Sequence, residues 1–210
     1  MDGSSGVSSA AFTADLEAAQ QIWTAPGVIE AAGSLVLLTY FAIPSLLAVR
    51  PIGGSLRSVV DGHRERDFLH AMLGLGERSE GGIGNPAVRA RARSLAMKHR
   101  QYPGMRADHM DFIAGLLALS PLLLLDRDET ADTAAYWRYM GRMMALLGCD
   151  RGSVDDTEKM CTGFVEAYAG ASIDGHGLVA AFGVRHPESV RRAVPALFPP
   201  ARRVVLESLG

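Results

Sequence analysis

The sequence contains few cysteines and few aromatic residues, and its acidic and basic residues are nearly equal in number. Only two of its 210 residues are cysteine, and neither belongs to a CxxC motif, which excludes a zinc ribbon or a thioredoxin-type site. We predict that Cys149 and Cys161 are free thiols in a reducing compartment, with a disulfide between them as the alternative. The formal net charge of −2 gives no basic excess of the kind that nucleic-acid-binding proteins carry, so we expect no nucleic-acid partner.

Targeting signals are also missing from the N-terminus. Residues 1–9 are small and polar, and no basic stretch followed by an apolar core marks a signal peptide. We therefore predict a cytoplasmic protein with a flexible arm at residues 1–12 and one domain over 13–210. Residues 31–49 carry no charge and come close to the length of a membrane span. A buried central helix kinked near Pro44 is the preferred interpretation, and a membrane-anchored structural protein is the alternative.

No segment alternates between polar and apolar residues with a period of two, so we predict an all-α fold, a single compact multi-helix domain with buried central helices. The core is expected around residues 28–47, 85–102 and 110–124. Further helices are predicted at 13–23, 55–73, 130–147 and after a capping box at Ser153. The glycine-rich residues 170–177 are expected to be loose, with short helices at 178–182, 187–194 and 200–209.

Residues 85–121 hold the most informative stretch. Asn85 followed by Pro86 is a strong helix start, since asparagine caps and proline suits the first helical position. The helix places His99 on an apolar stripe with Val88, Ala92, Leu95 and Ala96, and leaves the arginines on other faces. A neutral imidazole there is either a satisfied core histidine or a candidate haem ligand.

A second pair of interest precedes this stretch. Arg66 and His70 lie one turn apart on a predicted helix, which is a functional pattern if that face points inward and a solvated face otherwise. The sequence has no GxSxG, HExxH or GxGxxG motif, so inward histidines with nearby arginines are its main chemical feature.

The same stretch resembles the MpaB-type oxygenases, whose relatives include the latex-clearing rubber oxygenases. The likeness rests on His99-Arg-Gln-Tyr102, then Asp108-His-Met and Ser120-Pro121, then Ala135-Tyr-Trp and Leu147-Gly148. It covers roughly residues 28–149.

The resemblance implies an all-α haem oxygenase of latex-clearing type with haem b, its iron held by one histidine, His99. Arg66 would then be the distal arginine and His70 would replace a threonine, both acting in catalysis. Arg66, Arg93 and Tyr102 are expected to contact the cofactor. A second register, in which Arg93 and Arg100 match the arginines that flank the family's ligand, puts Ala96 at the ligand position and leaves the protein without haem.

The function implied is oxidative attack by a haem b oxygenase, using dioxygen, on a C=C bond of a small hydrophobic, natural-product-like substrate. The alternative is a haem-free relative that binds or rearranges an apolar ligand, with Arg66, His70 and His99 as acid–base groups.

Overall fold

The structure, a computed structural model, describes residues 9–49, 63–125, 131–149 and 152–210, with the backbone alone at 63–66 and 131. Helices and short 3-10 turns make up its regular structure, and no strand occurs among these residues, so the all-α prediction is confirmed. The α-helices are α1 (Ser9–Trp23), α2 (Val28–Phe41), α3 (Pro44–Leu47), α4 (His63–Met72), α5 (Pro86–Arg100), α6 (Ala107–Leu125), α7 (Ala131–Leu147), α8 (Val154–Tyr168), α9 (Ile173–Arg185), α10 (Pro187–Ala193) and α11 (Pro199–Leu209).

Side-chain caps fix several helix ends where the sequence predicts them. The Asn85 side-chain oxygen accepts a hydrogen bond from the Ala87 amide at 2.9 Å, which starts α5. Ser153 and Asp156 form the predicted capping box of α8, since the Asp156 amide donates to the Ser153 hydroxyl and the Ser153 amide to the Asp156 carboxylate. Gly148, with φ 73°, ends α7 in the left-handed conformation that favours glycine.

Helices α2 and α6 pack against each other at the centre of the fold, between two apolar clusters. The first cluster lies toward α1, α4, α5 and α7, and the second lies toward α3 and α8–α11. Helix α6 gives Met110 and Ala114 to the first cluster and Phe112 and Leu116 to the second. Because both sides of these helices face protein, their sequences are apolar almost all round, as predicted for a central helix.

The predicted kink near Pro44 is a break between two helices. Helix α2 ends at Phe41, and Pro44 takes the first position of α3. Ala31, Leu35 and Leu38 are completely buried, as expected for a core helix. Within the described part of the chain, α6 is the helix that is long and apolar enough to cross a membrane, and the bent pair of α1 and α2 passes the same test together.

Pro121 lies inside α6, where it cannot donate the backbone hydrogen bond that Leu117 would normally accept. The hydroxyl of Ser120 donates to the Leu117 carbonyl at 3.0 Å in its place. The helix therefore continues to Leu125 in spite of the proline.

Tyr139 of α7 is buried, and its hydroxyl links α7 to the end of α4 and to the turn that precedes α5. The hydroxyl donates to the carbonyl of Met72, the last residue of α4, and accepts from the Ile83 amide at 3.0 Å. Gly82 makes this approach possible, because a Cβ at that position would collide with the tyrosine hydroxyl. The end of α4 is thus fixed by side chains, with Gln20 of α1 donating to the Leu73 carbonyl at 2.9 Å.

The structure corrects the sequence prediction at two places. Residues 9–12 of the arm predicted at 1–12 are helical, because α1 begins at Ser9, and the Phe12 ring packs 5.9 Å from that of Tyr139, whereas residues 1–8 lie outside the described residues. The stretch 170–177 was predicted to be loose, but α9 begins at Ile173, with the Ser172 hydroxyl accepting from the Gly175 amide. Residues 55–62 of the helix predicted at 55–73 lie outside the described residues, and α4 confirms its second part.

Candidate functional site

The candidate site lies at the C-terminal end of α5. Val88, Ala92 and Ala96 on its inner face are buried, which confirms the apolar stripe predicted there. His99 continues this stripe but belongs to the last turn, where less of the protein covers the helix, and its side chain is half-buried.

The His99 imidazole is held in an apolar environment. Its ring meets that of Tyr102 edge to face, with 5.2 Å between the ring centroids and 75° between the planes. Burial lowers the pKa of His99 below its usual value, because the protonated ring would lose much of its hydration in the protein. Its Nδ1 is buried and has no hydrogen-bond partner among the described residues. The ring is therefore a neutral imidazole with unused bonding capacity.

A contact between two helix ends fixes the surroundings of this ring. The Arg100 guanidinium, next to His99 in the chain, donates to the Gly148 carbonyl at 3.3 Å. Gly148 is the residue that ends α7, so the last turns of α5 and α7 are tied together. The backbone that carries His99 is thereby attached to the first apolar cluster.

Of the other predicted site residues, only some lie near His99 in the part of the chain that the structure describes. His70 of α4 is half-buried, and α4 packs against α5, but no hydrogen bond or ring contact joins His70 to His99. Arg66 belongs to α4, and its side chain lies outside the described residues. Arg93 is exposed on the outer side of α5, away from the stripe that holds His99. Tyr102 is thus the predicted cofactor contact that does touch the histidine.

The alternative ligand position, Ala96, is 5% exposed on the buried face of α5. Its methyl group offers no atom to a metal. The two registers therefore place the ligand position one turn apart on the same face of the helix, and His99 is the residue of the pair that has a donor nitrogen.

His109 of α6 is a buried histidine that sequence reasoning did not single out. It is 2% exposed, and neither ring nitrogen has a hydrogen-bond partner among the described residues. Its ring meets Phe164 of α8 edge to face, with 5.8 Å between centroids, and burial followed by the nearby Arg106 guanidinium lowers its pKa. The signal was present in the sequence, since His109 is a titratable residue in a helix that is apolar on every side.

Asp15 of α1 is a second buried polar residue that sequence reasoning did not single out as a site residue. Its carboxylate is 1% exposed and pairs with Arg138 at 2.8 Å and Arg142 at 2.7 Å, both on α7. The spacing of Asp15 with Ala19 and Ile22 puts it on the apolar stripe of α1, which would have predicted its burial. These two ion pairs join α1 to α7 and do not include His99.

The two cysteines are free thiols, as predicted, and both are buried. Burial raises the pKa of both thiols to about 12, so neither is a thiolate near neutral pH. The Cys149 thiol donates to the Met110 carbonyl at 3.5 Å. These cysteines are therefore packing residues, and a thiolate nucleophile is not part of the site.

A metal held by protein side chains alone normally needs three or four ligands, and the described residues bring no three His, Cys, Asp or Glu side chains together. Haem needs fewer protein ligands, because the porphyrin holds the iron and the protein supplies one further ligand. An imidazole nitrogen can be that ligand, and among the described residues His99 Nδ1 and both ring nitrogens of His109 are buried without a hydrogen-bond partner. Comparisons of the chain with protein-family models, with curated proteins and with solved structures gave no match in any of the three.

Proposed function

We propose that this chain is a haem b oxygenase in which His99 would hold the iron. The observation that supports the proposal best is the state of the His99 ring, which is neutral, packed against Tyr102 and left with a buried nitrogen that has no partner among the described residues. Buried polar atoms are nearly always hydrogen-bonded, so an unpartnered one calls for an explanation. We propose that coordination of iron by this imidazole is that explanation.

The likeness to MpaB-type oxygenases gives the cofactor and the reaction class of the proposal. Bound haem would supply the binding and activation of dioxygen for oxidative attack on a C=C bond. His99 would hold the iron, and the Tyr102 ring, which meets it edge to face, restricts the rotation of the imidazole. Arg66 and His70 on α4, the helix packed against α5, are proposed as the hydrogen-bond donors of the site.

The substrate in this proposal is a small hydrophobic molecule. Apolar side chains dominate the buried face of α5 and the whole of α6, so a ligand beside them would meet few groups able to hydrogen-bond it. A cytoplasmic location belongs to the same proposal, and fractionation of expressing cells tests it.

The experiment is a haemin titration of the purified protein, followed by the Soret band. The wild type is expected to bind one haem per chain, and His99→Ala is expected to lose the ligated spectrum. Added imidazole should restore it in His99→Gly, because a free imidazole can fill the space of the missing ring. His176→Ala is the matched control, since His176 lies on α9 and its ring is hydrogen-bonded to the hydroxyl of Ser208 on α11.

An unchanged Soret band in His99→Ala would overturn the assignment. Protein that takes up no haem and still converts an apolar substrate would favour the haem-free alternative, with Arg66, His70 and His99 as acid–base groups. In that case His70→Ala and His99→Ala should change the pH profile of turnover.

A further inference from the structure

Helix α9 presents an unusual outer face. Ile173 is 92% exposed and Val184 is 84% exposed, and they are the two most exposed large apolar residues of the described chain. Gly177 and Ala180 lie between them and are also exposed. At 100° per residue these four positions fall within about 60° of one another around the helix. A soluble surface seldom concentrates its exposed apolar side chains in one line without a binding role.

The inner face of α9 is already occupied. Gly175, Val179 and Phe182 are buried, and Phe182 packs edge to face on Phe41 of α2 with 6.1 Å between centroids. A Cβ at Gly175 would lie 2.5 Å from the Phe41 carbonyl oxygen, so this face sits closely on the core. The stripe of Ile173, Gly177, Ala180 and Val184 is therefore a second, outward surface, and no core packing explains it.

The spacing of this stripe is the same when it is read in either direction. Ile173 and Val184 stand at equal distances from a point between Leu178 and Val179, and so do Gly177 and Ala180. An antiparallel copy of α9 would then place Ile173 opposite Val184 of the second copy, and Gly177 opposite Ala180. The large residues would meet at the ends, and the small ones would let the helices approach in the middle.

The charges beside the stripe follow the same symmetry. Asp174 and Arg185 are both exposed and lie on the same flank of the stripe. In a two-fold pair of antiparallel helices equal flanks face each other, so Asp174 of one copy would lie about two residues, or ~3 Å, along the axis from Arg185 of the other. Two opposite-charge pairs would form, one at each end of the contact.

An apolar groove continues the surface at the C-terminal end of α9. Gly183 lines it together with Leu206 and Leu209 of α11, which are 51% and 38% exposed, and its volume is about 390 Å³. In the antiparallel arrangement the second copy's Ile173 would lie over Val184, beside this groove. The contact therefore extends beyond one helix face.

We propose that the outer face of α9 is the interface of a homodimer, formed by two antiparallel copies of α9 about a two-fold axis between Leu178 and Val179. Because the contact is built mainly on one helix of 13 residues, we expect a weak dimer that forms with rising protein concentration. The proposal is independent of haem and of the reaction proposed above.

Sedimentation velocity of the full chain over a concentration series tests it. The wild type is expected to pass from monomer to dimer, and Val184→Lys should weaken the dimer at least tenfold by putting a charge into the apolar contact. Met97→Lys is the matched control, because Met97 is 59% exposed on α5, away from the interface, and should leave the dimer unchanged. A wild type that stays monomeric at every concentration overturns the proposal.

A charge exchange gives the sharper test. Asp174→Arg alone and Arg185→Asp alone should each weaken the homodimer, because each places like charges together at both ends. Mixing the two single variants should restore a dimer that contains one chain of each kind. Failure of the mixture to associate overturns the antiparallel arrangement. Binding of the monomer to phosphatidylcholine–phosphatidylglycerol vesicles that Val184→Lys abolishes would also overturn it, and would assign the stripe to a membrane surface.

Discussion

Replacing Tyr139 with phenylalanine is the most direct test of how the end of α4, the helix that carries His70, is held. The change removes one oxygen and leaves the ring in place. Two backbone groups lose their partner, the carbonyl of Met72 and the amide of Ile83. Tyr139 is completely buried, so we expect no water molecule to replace the hydrogen bonds of its hydroxyl.

The expected magnitude follows from those two groups. Leaving one buried donor or acceptor without a partner costs about 1–3 kcal/mol, so the pair predicts a loss of about 4 kcal/mol in the free energy of unfolding. For a chain of this length that corresponds to a fall in the melting temperature of about 8–16 °C. Tyr136→Phe is the matched control on the same helix. Its hydroxyl donates to one carbonyl, that of Ala118, so the same rule gives an expected loss of about 2 kcal/mol, half of that for Tyr139→Phe.

Urea unfolding followed by circular dichroism measures both variants. The Tyr139→Phe midpoint should fall well below that of Tyr136→Phe with the slope against urea unchanged. Equal losses in the two variants would refute the reasoning, because the second hydrogen bond of Tyr139 would then contribute nothing. An unstable end of α4 should also raise amide hydrogen exchange between His70 and Leu75.

Three further predictions concern buried polar groups. Since the native pKa of His109 is lowered, the unfolded chain takes up a proton that the native protein does not, so stability should fall below pH 6.5 by at most about 1.4 kcal/mol per pH unit for this residue. His109→Phe should reduce that slope in urea unfolding at pH 5–7, and an unchanged slope would contradict the argument. Asp15→Ala should cost about 2–4 kcal/mol in the same assay, less than a fully buried pair because Arg138 is 59% exposed, and a loss below 1 kcal/mol would count against it. Ser120→Ala should lower the melting temperature through a loss of about 1–2 kcal/mol, because it removes the partner of the Leu117 carbonyl, whereas Ser45→Ala should have little effect because its hydroxyl bonds nothing among the described residues.

The sequence predicted those features that depend on neighbours in the chain. Asn85-Pro86 and Gly148 mark helix ends because capping and left-handed backbone are local properties, and the structure has them where expected. The apolar stripe of α5 was predictable from its period alone. The central position of α2 and α6 followed from sequences that are apolar on every side.

Features that depend on distant contacts could not be predicted in this way. Glycines suggested a loose segment at 170–177, but Gly175 lies on the core where a larger residue would collide with the Phe41 carbonyl, so packing outweighs helix propensity there. His99 was predicted to lie on the apolar stripe of α5, and its partial burial depends on how the end of that helix is covered, which the period of the stripe does not predict. No sequence rule pairs Asp15 with arginines more than a hundred residues away, although its place on the apolar stripe of α1 did indicate burial.

The shared position of α2 and α6 between the two apolar clusters has a consequence for how the protein opens. Each cluster needs both helices, so neither half can separate from them and stay folded. Local opening can release α5 or α9 at the periphery, but α2 and α6 are released only when the whole fold is lost. Their central amide protons should therefore exchange last, at the rate of global unfolding, and they should form the final protected unit in a native-state exchange experiment.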